Sequence, residues 1–150
     1  TMRQKYVWKM HQLLSENGIL VGLFFNRTFE VSPPFGGSQT EYEQLFKNAF
    51  QFLKLDVATN SIPQRAKSEL FFEFKKDKNA IVNLYKFEGI TCSGCKNTVT
   101  EKFSNIKGVL NVTMSSDFHE VLIVSIGHVP IRVLEECISY DELYKIKRVK

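Results

Sequence analysis

An α/β first part followed by an α+β second part is the fold class the sequence predicts, and three observations predict it. A seven-residue apolar run, Ile19–Phe25, lies between two stretches with helical apolar spacing. Beyond Ile81 come short apolar-rich runs of strand length, one of which sets Leu110, Val112 and Met114 at the strand period of two. Those runs are interrupted twice by helix-period stretches, one around Val99 and Phe103 and one around Leu134 and Ile138.

In order along the chain, residues 3–16 place Val7, Met10 and Leu14 at helical spacing, and Asn17-Gly18 supplies a C-terminal cap. Ile19–Phe25 is apolar at every position, which predicts a strand covered on both faces inside a parallel sheet. Ser32-Pro33-Pro34-Phe35-Gly36-Gly37-Ser38 is rich in turn formers. Thr40-x-x-Glu43 reads as a capping box that opens a helix through Leu45 and Phe46, with Ser38-x-x-Glu41 as a rival frame. Strands follow at about Phe50–Val57 and Glu69–Phe74, and the loop between them, with Asn60-Ser61-Ile62-Pro63, suits an antiparallel pair. The charged junction at Lys75–Asn79 marks a domain boundary, giving parts 1–78 and 79–150.

After it comes a strand (Ile81–Phe87), a loop, a helix (Val99, Phe103, Ile106), a strand (Leu110, Val112, Met114), a strand (Val121–Ile126), a helix (Ile131, Leu134, Cys137, Ile138) and a strand (Tyr144–Val149). That order, βαββαβ, is a ferredoxin-like sandwich. The first part is different. An apolar strand with so few elements around it needs further cover, so residues 1–78 read as the end of a larger doubly wound α/β domain.

Composition narrows the function classes. With 43% hydrophobic and 13% aromatic residues the 150-residue chain can build cores. Its 20 basic and 16 acidic residues are mixed along the chain, so a nucleic-acid partner is not expected. No apolar run is long enough to span a bilayer. Three cysteines, two of them in CxxC spacing, argue against a disulfide scaffold and for a reducing, cytoplasmic setting.

The chemistry concentrates in Gly89-Ile90-Thr91-Cys92-Ser93-Gly94-Cys95. Cys95 falls near the start of the predicted helix, where unpaired N–H groups favour a thiolate, and Ser93-Gly94 lets both sulfurs turn toward one point. Soft thiolates select soft cations: Cu(I) foremost, with Hg(II), Zn(II) and Cd(II) as alternatives. Two sulfurs satisfy a near-linear Cu(I), whereas structural zinc takes four ligands. A dithiol redox pair is the rival reading of a lone CxxC. Cys137 falls on the apolar face of its helix and reads as a core residue. His11, His119 and His128 have no ligand spacing and read as surface or core-edge residues.

Residues 80–150 resemble the heavy-metal-associated domain of copper chaperones, metal-transporting ATPases and mercury-handling proteins. That family's loop is Gly-Met-Thr-Cys-x-x-Cys, and Gly108-Val109-Leu110-Asn111-Val112 matches its turn into the second strand. The resemblance implies metal captured by Cys92 and Cys95 and handed by ligand exchange to a similar CxxC domain or a metal transporter. Thr91 and Tyr144 would support the site from outside the ligand pair. Ile90 stands where the family has Met, a buried position at which the swap conserves volume.

Residues 3–76 resemble the C-terminal portion of thiopurine and thiol methyltransferases, which use S-adenosylmethionine. The matching stretches are Tyr6-Val-x-Lys-Met-His11-x-Leu-Leu14, Gly18-Ile-Leu-Val21, Pro33-Pro34-Phe35, Tyr42-Glu43-x-Leu45-Phe46, and Ile62-Pro63-x-Arg65 with Glu69-Leu70. This implies an antiparallel last strand, and an acceptor pocket walled by Pro34 and Phe35 with Arg65 near it. The family's Gly-rich turn after its first strand, which holds the cofactor, has no counterpart in residues 1–150. No catalytic residue is therefore assigned, and methyl transfer is expected only if another polypeptide supplies that half.

Overall fold

The computed structural model describes residues 2–31 and 33–150; Ser32, the first residue of the expected turn-rich loop, lies outside them. Two compact units form. One is Lys78–Lys150 together with the N-terminal helix, and the other is Leu14–Asp77.

The unit Leu14–Asp77 holds strand β1 (Ile19–Phe25), helix α2 (Gln39–Phe46), strand β2 (Phe50–Val57) and strand β3 (Glu69–Lys76). The sheet order is β1-β3-β2, with β3 antiparallel to both neighbours. Leu70, Phe72 and Phe74 alternate onto the covered face, where α2 buries Tyr42, Leu45 and Phe46. Phe24 stacks between the Tyr42 ring at 4.2 Å and the Phe72 ring at 4.0 Å.

Two expectations are corrected here. β1 is an edge strand with one face open to solvent, not an interior strand of a parallel sheet. No parallel strand pair occurs among the described residues, so a doubly wound sheet is not seen. The helix start also differs. Ser38 is the N-cap: its Oγ accepts the Glu41 N–H and the Glu41 carboxylate accepts the Ser38 N–H. Gly37 donates its N–H to the Arg27 carbonyl, which ties the chain down just before Ser38, and the box starts two residues earlier than Thr40.

The other unit contains helix α1 (Arg3–Leu13), β4 (Ile81–Glu88), α3 (Ser93–Ser104), β5 (Val109–Met114), β6 (Glu120–Ser125), α4 (Ile131–Ile138) and β7 (Lys145–Arg148). From β4 onward this is the ferredoxin-like βαββαβ order, and its antiparallel sheet runs β5-β6-β4-β7. Tyr85, Phe87, Val121 and Ile123 point to one face and form the core with Val99 and Phe103 of α3 and Leu134 and Ile138 of α4. Ile90 and Met114 join it, and Cys137 packs at its margin.

Val82, Leu84, Leu122 and Val124 alternate onto the opposite face and are buried too. Helix α1 packs there against β4 and β6. It buries Gln4, Val7, Trp8 and His11, an i, i+3, i+4, i+7 stripe. The expected stripe of Val7, Met10 and Leu14 is thus rotated, because the packed residues include two polar ones, and His11 is buried. Sequence reasoning placed this helix in the 1–78 part, whereas it groups with Lys78–Lys150. Among the described residues no helix is long and apolar enough to cross a membrane.

Candidate metal centre

The thiol loop is built by three local choices. Gly89 has φ +97°, a conformation that side-chain-bearing residues rarely adopt, and it turns the chain out of β4. A Cβ at Gly89 would collide with the Leu143 carbonyl, so the absence of a side chain lets the loop before β7 lie against the base of the thiol loop. Ile90, 8% exposed, then pins the loop into the core while Thr91, Cys92, Ser93 and Gly94 remain at the surface.

Cys92 is the N-cap of α3. Its backbone is extended (φ −143°, ψ 155°), and its Sγ accepts the Cys95 N–H at 3.2 Å. The thiol next to the helix start is therefore Cys92, and it takes the role the sequence suggested for Cys95. The Cys95 thiol and then its backbone N–H hydrogen-bond the Cys92 sulfur and hold that thiol below its ordinary range, with the Gly94 N–H helping. Cys95, one turn into the helix, is half-buried and packs against the core. One exposed and one half-buried sulfur are thus brought side by side.

Tyr144 approaches from the other side. Its ring meets Phe87 at 5.7 Å and Tyr140 at 5.6 Å, both edge-on. Burial, and then the Cys95 thiol beside its hydroxyl, push the phenol well above its ordinary value. A phenol that stays protonated is a hydrogen-bond donor toward a neighbouring thiolate. Tyr140 was not foreseen; Lys102 lies 4.7 Å over its ring. The sequence signal was the pair of tyrosines four apart ahead of the last strand. Thr91 is exposed and immediately precedes Cys92.

No group of three or more His, Cys, Asp and Glu side chains converges on a metal position among the described residues. The donor set at this loop is two thiols. That fits a soft ion content with two near-linear sulfur ligands. Elsewhere, Arg65 pairs with Glu69 at 3.4 Å and lies over the Phe25 ring at 5.4 Å, while Pro34 and Phe35 are exposed. Phe35 is 71% exposed.

Gly89→Ala tests the loop geometry. Holding Ala at this φ costs about 1–3 kcal/mol, and the Leu143 clash adds to it. Chemical denaturation should show the loss. Unchanged stability would mean that this contact does not hold the two loops together.

Residues 84–139 match the heavy-metal-associated domain family, a span that includes both Cys92 and Cys95. No curated protein sequence matches the chain. Three solved structures are similar to just under half of the chain. A protein solved in work on crosstalk between Cu(I) and Zn(II) homeostasis is 13% identical, with TM-score 0.41 over 46% of this chain and 99% of its own. A yeast copper transporter domain, solved in apo and Cu(I)-loaded states, is 20% identical, with TM-score 0.38 over 46% of this chain and 94% of its own. Oxidized MerP from Ralstonia metallidurans is 18% identical, with TM-score 0.41 over 47% of this chain and 99% of its own. By the family match alone, residues 84–139 form a heavy-metal-associated domain.

Proposed function

We propose that Cys92 and Cys95 capture one soft metal ion, Cu(I) foremost, and release it to the thiolates of a partner domain. The observation that carries this reading is the pair of adjacent sulfurs at the N-terminus of α3, one exposed and one half-buried. The helix start favours the negative charge that a dithiolate site accumulates. The exposed sulfur is where an incoming thiolate can compete. Exchanging one thiolate for another leaves the metal's ligand type and charge unchanged, so transfer needs no redox step. Tyr144 donates toward Cys95 and tempers its charge, and Thr91 flanks the pair. Anaerobic titration with Cu(I) against a competing chelator should reach one ion per chain. Failure to bind under reducing conditions would overturn the proposal.

For residues 1–78 a methyltransferase-like reading rests on the collinear stretches named above and on a last strand, β3, antiparallel to both its neighbours. In that reading Pro34, Phe35 and Arg65 would face the methyl acceptor, and S-adenosylmethionine would be held by a complementing polypeptide. Residues 1–150 contain no Gly-rich turn after a strand to hold the cofactor, so calorimetry with S-adenosylmethionine alone should be flat. Clear heat of binding would show that these residues form a cofactor site by themselves.

A further inference from the structure

Strand β1 leaves one backbone edge unpaired. The Asn26 N–H donates to Ser68 and the Gly18 carbonyl accepts from Lys76, so the even-numbered residues of this strand turn their backbone groups toward β3. By alternation, the N–H and C=O groups of Ile19, Val21 and Leu23 turn outward, and no described residue pairs with them. Their side chains are also open, at 48%, 55% and 52% exposed. The edge is closed only beyond this point. The Tyr42 hydroxyl donates to the Phe25 carbonyl at 2.8 Å, and the Gly37 N–H donates to the Arg27 carbonyl at 3.1 Å.

Edge strands are normally guarded by a charge, a proline or a bulge. Ile19-Leu20-Val21-Gly22-Leu23-Phe24-Phe25 has none of these. The open segment is self-complementary. Antiparallel pairing about Val21 sets Val21 opposite Val21 and Ile19 opposite Leu23, so each outward pair can exchange both its bonds and meet apolar with apolar. The flanking charges favour the same direction. Glu16 precedes the strand and Arg27 follows it, so an antiparallel copy brings acid toward base, whereas a parallel one brings like toward like.

We propose that the β1 edge pairs with the β1 edge of a second copy of this chain, giving a two-fold dimer centred on Val21 that continues the β1-β3-β2 sheet across the axis. The inference is independent of metal capture, and it is tested on metal-free, reduced protein so that no ion shared between thiol loops can be the link. Sedimentation over a concentration series should show a dimer that dissociates on dilution. Val21→Lys places like charges opposite one another at the axis and should give a monomer that still binds one Cu(I). Cys92→Ser should leave the dimer intact. If Val21→Lys fails to fold, a second variant decides: Val21→Cys, made with Cys92→Ser and Cys95→Ser, should form a disulfide between copies under mild oxidant, since residues opposed across such a pair lie within bridging distance. A wild-type chain that stays monomeric, a Val21→Lys variant that stays dimeric, or no cross-link at Val21→Cys each overturns the proposal.

Discussion

Cys92→Ser should abolish Cu(I) binding while leaving the domain folded. The two consequences separate because Cys92 has two jobs. As the N-cap of α3 it accepts the Cys95 N–H, and a serine hydroxyl is among the best replacements for that task. As the proposed ligand it would supply one of two sulfurs, and a neutral hydroxyl is a poor donor to a soft ion. Loss of an outer partner of a metal site typically costs about 10–100-fold in affinity. Removing half of the ligands should exceed that range and leave no ion bound under a competing chelator. Cys137→Ser should retain one ion per chain, because that thiol lies at the margin of the core. A Cys92→Ser protein that still holds one ion would place the site elsewhere. The sign of the pH dependence follows from the same hydrogen bonds. Because they lower the Cys92 thiol, protons compete less with the metal, and binding should persist to more acidic pH than an ordinary cysteine pair allows. Titrations of the same protein at several pH values measure this directly.

How much of this was legible depended on whether the deciding interaction was local. The βαββαβ order could be read because its elements carry local signals, as in the alternation of Leu110, Val112 and Met114 with Asn111 and Thr113. The cysteine pair could be read because CxxC spacing and the following helix lie within one short segment. The capping box was ambiguous because Ser38 and Thr40 both have a glutamate three residues on. A remote contact, Gly37 to Arg27, decided between them. β1 was misplaced for a related reason. An apolar run shows that a strand could be covered on both faces, but only its pairing shows whether it is. Tyr144 had weak support until the chain brought it beside Cys95, through the fit of Leu143 against Gly89.

Helix α1 gives the second large effect. Trp8→Ala should destabilise the unit that contains Lys78–Lys150 by about 3–5 kcal/mol, the cost of deleting a large buried aromatic. Trp8 is 5% exposed, and beside it Val7 is fully buried. Both lie on the helix that packs against β4 and β6. Without that cover the outer face of the sheet, with Val82, Leu84, Leu122 and Val124, would meet water, which is unfavourable in proportion to the apolar area exposed. This explains why β6 is buried at every position, although a sandwich with helices on one face only would leave alternate residues wet. Amide hydrogen exchange resolves the units. In Trp8→Ala the protection of β4 and β6 should fall, while that of β3 within Leu14–Asp77 should not. Loss confined to β3 would return α1 to the first part of the chain, where its sequence alone had placed it. Cu(I) stoichiometry under native conditions should stay at one, because Cys92 and Cys95 are carried by α3 on the other face of the sheet. Stability and metal capture are thus expected to respond to different faces of one sheet.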